Sequence, residues 1–139
     1  TVPGEVHDPG NEFASGKTGS PIPNPQAGAI YTVTARAVDK FYNLKSTDAA
    51  VSVTHTDPYA AALGPKNLIA GTTTFDLVFR PATTGDPDVS TGPWRITAST
   101  AGASSMLAAV SPPIDVDPGA AVKLTPALTA VSRNRATPA

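Results

Sequence analysis

The chain has no cysteine among its 139 residues, which excludes disulfide bonds and thiolate metal sites. Charge is also scarce, because charged residues make up 15% of the sequence against about 25% in an average soluble protein. The formal net charge is -1, and the only basic cluster is Arg133 with Arg135. Nucleic-acid binding needs clustered lysine and arginine to neutralise phosphates, so we expect no nucleic-acid partner.

Long apolar runs are missing too. No segment approaches the roughly 20 apolar residues that cross a bilayer as a helix, so we expect no membrane insertion. Proline and glycine are plentiful instead, with 15 and 11 residues. Because a proline inside a helix costs about 3 kcal/mol, this content of proline and glycine favours short strands joined by turns.

Alternation of apolar and polar residues predicts four strands, at residues 30–38, 50–54, 72–80 and 94–99. The side chains predicted to face the core are Tyr31, Val33, Ala35, Ala37, Val51, Val53, Phe75, Leu77, Phe79, Trp94, Ile96 and Ala98. Weaker strand patterns occupy residues 108–110, 114–116 and 120–124, and residues 59–63 suit one helical turn. About seven short strands separated by turn signals are typical of an all-β sandwich, with a closed barrel as the alternative.

The chain is predicted to divide into three parts. Residues 1–28 are rich in proline and glycine and form an extended arm that includes part of a first edge strand. Residues 29–119 form the sandwich. Residues 120–139 form a C-terminal strand and tail.

Several short motifs follow one another from Pro3 to Leu124 in a characteristic order. They are Pro3-Gly4-Glu5, Pro9-Gly10, Gly16-Lys17-Thr18-Gly19, Ala27-Gly28, Ala37-Val38-Asp39 leading to Asn43, Asp57, Gly71-Thr72 with Thr74-Phe75, Ile96-Thr97-Ala98, and Pro118-Gly119-Ala120-Ala121 with Lys123-Leu124. This order resembles the tandem immunoglobulin-like repeats of large secreted bacterial surface proteins, which are similar to invasin-type and filamin-type domains. Tyr42 departs from the pattern, since the repeats usually carry tryptophan there, and residues 84–93 are longer than the usual link.

The resemblance implies an immunoglobulin-like β-sandwich with extended N- and C-terminal arms. It also implies a non-enzymatic structural or adhesive role at the bacterial cell surface, as a subunit or repeat of a filament, stalk or layer. The expected partners are copies of the chain itself or adjacent immunoglobulin-like repeats. In such arrays Lys123-Leu124 would open the first strand of the following repeat, and this chain would start partway through its own first strand.

This offset between the chain and the repeat predicts assembly by strand complementation. A sandwich with an incomplete edge strand leaves backbone groups unpaired, and an extended segment of a neighbour can pair with them. We expect the donor to be residues 120–131, with Val122, Leu124, Leu128 and Val131 as subunit contacts. In the alternative, the tails fold back on their own domain.

A different functional class stays open, namely an independent binding module for surface carbohydrate or protein. The aromatic residues Phe41, Tyr42 and Tyr59 fall in or near loops and are the candidate ligand platform. A structural Ca²⁺ site is a weaker candidate at Asp86 and Asp88, whose carboxylates are ligands that this cation uses. We expect no other cofactor and no enzymatic activity, because no Gly-x-Ser-x-Gly elbow is present.

Two further pairs of residues with side-chain oxygen atoms have simpler explanations. Asp39 and Asn43 are predicted to bond the backbone of a turn rather than a cation. Asp115 and Asp117 are predicted to keep an edge strand soluble.

Overall fold

The computed structural model describes residues 1–10, 15–22, 24–84, 92–102 and 106–124. Within these ranges the chain forms eight strands and no helix, which confirms the all-β prediction. None of these segments is therefore a helix suited to crossing a membrane. The strands are β1 (Glu5–His7), β2 (Lys17–Gly19), β3 (Ile30–Arg36), β4 (Ala50–His55), β5 (Lys66–Asn67), β6 (Thr72–Val78), β7 (Ile96–Thr100) and β8 (Ala109–Val110).

In the described part of the chain the strands form three antiparallel sheets. β1 pairs with β2, and the four-stranded sheet has the order β5-β4-β7-β8. β3 pairs with β6 over its whole length, from Ile30 opposite Val78 to Arg36 opposite Thr72. Separate sheets of this kind are consistent with a β-sandwich and differ from the closed barrel considered as an alternative.

The alternation in the sequence places the core correctly. Every side chain predicted to face inward is buried except Ala98, which is half-buried and packs against the core. Phe75, Leu77 and Phe79 are each only 1% exposed, because successive inward positions of β6 and the residue after it share one face. Trp94 is also buried, and its indole Nε1 donates a hydrogen bond to the carbonyl of Pro81 at 3.2 Å.

Residues 1–28, predicted to be an extended arm with part of a first edge strand, contain two short paired strands. Val2 is buried in the core, and β1 and β2 form a hairpin that the sequence pattern did not indicate. The chain reverses between Val2 and Glu5, where the Glu5 N–H donates to the Val2 carbonyl at 3.0 Å. Pro3 and Gly4 occupy the central positions of this turn, and the φ of 91° at Gly4 is one that residues with a Cβ rarely adopt.

The last described residues also differ from their prediction. Residues 114–116 give a single bridge, between Trp94 and Ile114, although Ile114 and Val116 are buried. Residues 120–124, predicted as a strand, form none and are exposed. This segment lies beyond the last bridge, at Asp117, and pairs with no described residue of its own chain.

A buried carboxylate replaces the predicted helical turn at residues 59–63. Asp57 is 2% exposed, and its Oδ1 accepts hydrogen bonds from the N–H groups of Tyr59 at 2.8 Å and Ala60 at 3.1 Å. Its Oδ2 accepts from the N–H of Arg80 at 2.9 Å. Asp57 therefore joins the loop that follows β4 to the chain that follows β6.

Candidate assembly surface

The two ends of the sandwich are distinguished by the direction of the strands. Residues 37–49 join β3 to β4, and we call the end of the sandwich where these residues lie the loop end. β7 runs toward this end, because Ile96 pairs with His55 and Thr100 pairs with Val51 at the start of β4. β8 is antiparallel to β7 and so runs away from the loop end. The chain after β8 continues to the opposite end, which we call the exit end.

The exit end is closed by contacts of residues 114–117. Asp117 forms a parallel bridge with Gln26, and its N–H donates to the carbonyl of Pro25 at 3.0 Å. Residues 118–124 then leave the sandwich without a further bridge among the described residues. Residues 118–124 are exposed.

Beside β3, Thr1 forms an antiparallel backbone pair with Thr34. The Thr34 N–H donates to the Thr1 carbonyl at 2.9 Å, and the Thr1 nitrogen donates to the Thr34 carbonyl at 2.8 Å. Such a reciprocal pair is the hydrogen-bonded pair of an antiparallel ladder. Thr1 therefore runs antiparallel to β3, from the loop end toward the exit end.

The backbone of Arg36 faces the same side as this pair. Ala37 donates its N–H to Gly71 on the β6 side, and hydrogen-bonding directions alternate along a strand, so Arg36 is directed away from β6, as Thr34 is. Within the described residues no backbone group bonds to the N–H or C=O of Arg36. We call this side of β3, where Thr34 pairs with Thr1, the β3 edge.

Next to the β3 edge, a cavity of about 340 Å³ opens at the loop end. Its apolar atoms come from Ala37 and Val38 after β3, Ala49 before β4, and Met106 before β8. Lys45, Ser46 and Thr47 line the rest. We call this cavity the end groove. It is within the size range of pockets that hold small ligands or a few side chains.

The candidate subunit contacts that the structure describes lie at the exit end, not at the loop end. Val122 is 84% exposed and Leu124 is fully exposed, so neither packs on its own domain. The alternative in which the tails fold back does not apply to these two residues. Leu128 and Val131 lie outside the described residues.

The three candidate platform residues do not form one surface. Phe41 and Tyr42 lie at the loop end, whereas Tyr59 follows β4 at the exit end. The two ends are separated by the length of a strand, which is about 23 Å for seven residues. Tyr59 is 72% exposed. The Tyr42 ring instead packs on Gly16, where an added Cβ would overlap the ring. Lys40 Nζ lies 4.5 Å from the centroid of the Phe41 ring.

A partly buried ion pair links β1 to β2. Lys17 Nζ lies 2.6 Å from Glu5 Oε1, and the Glu5 side chain is 3% exposed. Glu5 Oε2 also accepts the N–H of Val2 at 3.0 Å.

Burial, and to a smaller extent the Glu5 charge, raises the pKa of Tyr31 to about 12, so this core phenol is neutral at physiological pH.

Asp39 and Asn43 close the tip of the loop end, as predicted. Asp39 Oδ1 accepts the N–H groups of Phe41 at 2.8 Å and Asn43 at 2.9 Å, and Oδ2 accepts Asn43 Nδ2 at 3.1 Å. These bonds lower the pKa of Asp39 from its ordinary value of 3.8, and the bond from the Asn43 side chain has the largest effect. The prediction that these residues bond the turn is confirmed.

This shift predicts how acid affects the loop end. Because the folded-state pKa of Asp39 lies below its unfolded value, the carboxylate stabilises the native state above pH 3.8, and the contribution is lost as the pH falls through the folded-state pKa. We expect Asp39→Ala to be destabilising at pH 7 and to approach the wild type below pH 3.8. Urea unfolding at several pH values measures this. A difference independent of pH would contradict it.

The acidic and histidine residues are not gathered into a metal site in the described part of the chain. No group of three or more such side chains occurs there that could hold an ion. The candidate Ca²⁺ ligands Asp86 and Asp88 lie outside the described residues. Asp115 and Asp117 accept hydrogen bonds from the hydroxyl groups of Thr83 and Thr84.

The two histidines have separate partners. His7 Nε2 lies 2.7 Å from the carbonyl oxygen of Tyr42, whereas His55 Nε2 lies 3.0 Å from the carbonyl oxygen of Ala61, beyond the far end of β4. Asp57 is occupied by backbone N–H groups. The described structure therefore gives His55 no carboxylate partner.

Sequence reasoning missed both the β3 edge and the end groove. The edge depends on the pairing of Thr1 with Thr34, and the groove brings Met106 next to Ala37 and Ala49. These residues are far apart in sequence, and no local pattern indicates that they meet. Comparison of the chain with protein-family models, curated proteins and solved structures found no match.

Proposed function

We propose that this chain is a non-enzymatic, immunoglobulin-like structural unit of an extracellular surface assembly. Copies are joined end to end by β-strand complementation into a filament, stalk or layer. The observation that carries the proposal is the exposure of two apolar side chains that follow the last bridge of the sandwich. Val122 is 84% exposed and Leu124 is fully exposed.

The order of the strands supports the immunoglobulin-like assignment. In that fold, strands B and E are neighbours in one sheet and strands C, F and G are neighbours in the other. Here β3 pairs with β6, and β4, β7 and β8 follow one another in the second sheet, with the short β5 beside β4. The parallel bridge of Gln26 with Asp117 adds a contact between the start and the end of the described sandwich.

The direction of the chain supports a linear assembly. Thr1 runs from the loop end toward the exit end, and residues 114–117 run in the same direction. A segment that leaves the exit end of one copy can thus meet the loop end of the next without reversing. A head-to-tail contact of this kind is heterologous and generates a filament unless its rotation closes a ring.

Truncation tests the proposal. We expect the intact chain to form filaments or larger oligomers, and a chain ending at Gly119 to remain monomeric, because the truncation removes Val122, Leu124 and the residues after them. Light scattering and electron microscopy at matched concentration measure the difference. Urea unfolding of both chains checks that the truncated chain is folded.

A stable monomer in both cases would contradict assembly and favour the independent binding module. That module would rely on one loop region alone, since the described structure separates Phe41 from Tyr59. Its test is retention of ligand binding when residues 120–139 are removed.

A further inference from the structure

We infer that Val122 and Leu124 of one copy dock on an exposed apolar patch at the loop end of a second copy. The patch consists of Leu44, Asp48 and Ile69, and we call it the loop-end patch. This inference rests on the assembly proposed above and names the surface that receives the two side chains. The occupant is a second copy of this chain.

The loop-end patch is one surface, because the chain before β6 runs beside the chain before β4. Two backbone hydrogen bonds join these segments, from the Leu68 N–H to the Ala49 carbonyl at 3.0 Å and from the Gly71 N–H to the Thr47 carbonyl at 2.9 Å. Asp48 lies between the two acceptors, and Ile69 lies between the two donors. The backbone therefore holds these two residues side by side.

The apolar side chains of the patch are exposed. Ile69 is 80% exposed and Leu44 is 50% exposed. Leu44 packs beside the turn that precedes β6, with its Cδ1 3.4 Å from the position that a Cβ on Gly71 would take. Apolar side chains beside a charged one match the anatomy of a protein interface, which has an apolar centre and a polar rim.

The reach of the donor segment excludes its own domain. Gly119 lies at the exit end, where a Cβ on it would be 2.9 Å from the Ala27 carbonyl oxygen. The five residues from Gly119 to Leu124 span at most about 18 Å when fully extended. The loop-end patch lies beyond the far end of β3, whose seven residues alone span about 23 Å. Leu124 can therefore enter the patch of another copy but not that of its own.

The charges of the two surfaces are complementary. Lys123 is the only charged residue among residues 118–124, and Asp48 is exposed and forms no ion pair with any described residue. The charge of the neighbouring Lys45 acts on Asp39. Because residues 120–124 form no strand, Lys123 is not fixed on the face opposite Leu124, and its flexible stem can bring the ammonium to the rim of the patch. Complementary charges of this kind select the correct partner surface.

Cysteine cross-linking of the full chain tests the acceptor, because the chain has no cysteine of its own. Leu124→Cys is placed in one preparation and Ile69→Cys in another, and both positions are exposed. The two are mixed under mild oxidation and analysed by non-reducing electrophoresis and mass spectrometry. A disulfide requires Cα atoms within about 7 Å, so it reports direct docking.

The control acceptor carries Val110→Cys on β8, the edge strand of the four-stranded sheet, whose open side we call the β8 edge. Val110 is 56% exposed, so its thiol is accessible as well. We expect Leu124→Cys to link to Ile69→Cys at least about tenfold faster than to Val110→Cys, because docking raises the local thiol concentration. Thermal unfolding of each variant establishes that it is folded.

A charge exchange tests the rim of the patch. We expect Asp48→Lys in the acceptor or Lys123→Glu in the donor to slow the link to Ile69→Cys about threefold at low salt. The acceptor and donor that carry these two exchanges should link at the original rate, because the pair is restored with opposite sign. Equal rates in all pairings would overturn the patch as defined.

The outcomes separate the acceptor from the proposed function. Assemblies that form while Leu124→Cys links equally well to Val110→Cys, or does not link to Ile69→Cys, overturn the acceptor and leave the assembly standing. A link within a single chain carrying both Ile69→Cys and Leu124→Cys overturns it as well, because the segment then reaches its own domain. An intact chain that is monomeric by light scattering overturns both.

Discussion

Replacement of Asp57 by alanine is expected to lower the free energy of unfolding by about 3 kcal/mol, the largest single effect on stability that the polar contacts predict. The carboxylate is 2% exposed and accepts three backbone N–H groups, those of Tyr59, Ala60 and Arg80. Without it these donors lose their acceptor, and each buried donor left unpaired costs about 1–3 kcal/mol. Partial access of water to the loop reduces the total cost of the three unpaired donors.

Two variants provide matched controls. Asp57→Asn keeps one acceptor oxygen and is expected to lose about half as much stability. Asp39→Ala removes an aspartate that also accepts three hydrogen bonds, but from an exposed loop where water replaces them, so its effect is expected to be smaller. Urea unfolding at pH 7 measures all three. An Asp39 variant as unstable as the Asp57 variant would contradict the role assigned to burial.

The double substitution Val122→Asp and Leu124→Asp is expected to weaken self-association at least about a hundredfold. Each apolar side chain contributes about 1.5–3 kcal/mol when it passes from full exposure to burial, and tenfold in affinity corresponds to about 1.4 kcal/mol. Unpaired carboxylates buried at the contact between copies would add a desolvation cost. Sedimentation velocity over a range of concentrations measures the change.

The stability of the single domain provides the internal control for this variant. Val122 and Leu124 are 84% and 100% exposed, so the free energy of unfolding should change by no more than about 0.5 kcal/mol. Val110→Asp, on the β8 edge, should leave assembly unchanged. Equal loss of assembly in the Val110 variant would indicate that contacts between β8 edges join the copies.

The sequence by itself determined the interior of the sandwich. Alternation along β3 and β6 identifies Tyr31, Val33, Phe75 and Leu77 as core residues, because the side chains of a strand point to opposite faces by geometry alone. The turn at Asp39 was predictable for a similar reason. Aspartate bonds backbone N–H groups a few residues ahead, so the motif carries its own partner.

Strand existence was less predictable where the alternation is short. Residues 120–124 have a strand pattern but no strand, whereas Lys66 and Asn67 form β5 without any pattern. A two-residue strand is defined by its neighbour, here β4, and not by its own side chains. Pairing supplies the hydrogen bonds that make a segment a strand, and local propensity does not.

Only the tertiary structure decided how the first residues enter the core and which residues distant in sequence meet. Val2 enters the core because the Pro3-Gly4 turn reverses the chain beside β3. The Asp57 carboxylate accepts a hydrogen bond from the N–H of Arg80, which is 23 residues away in the sequence. The β3 edge and the end groove arise in the same way. They depend on contacts between residues distant in sequence, whose closure is set by the packing of the whole domain and leaves no signal in any local pattern.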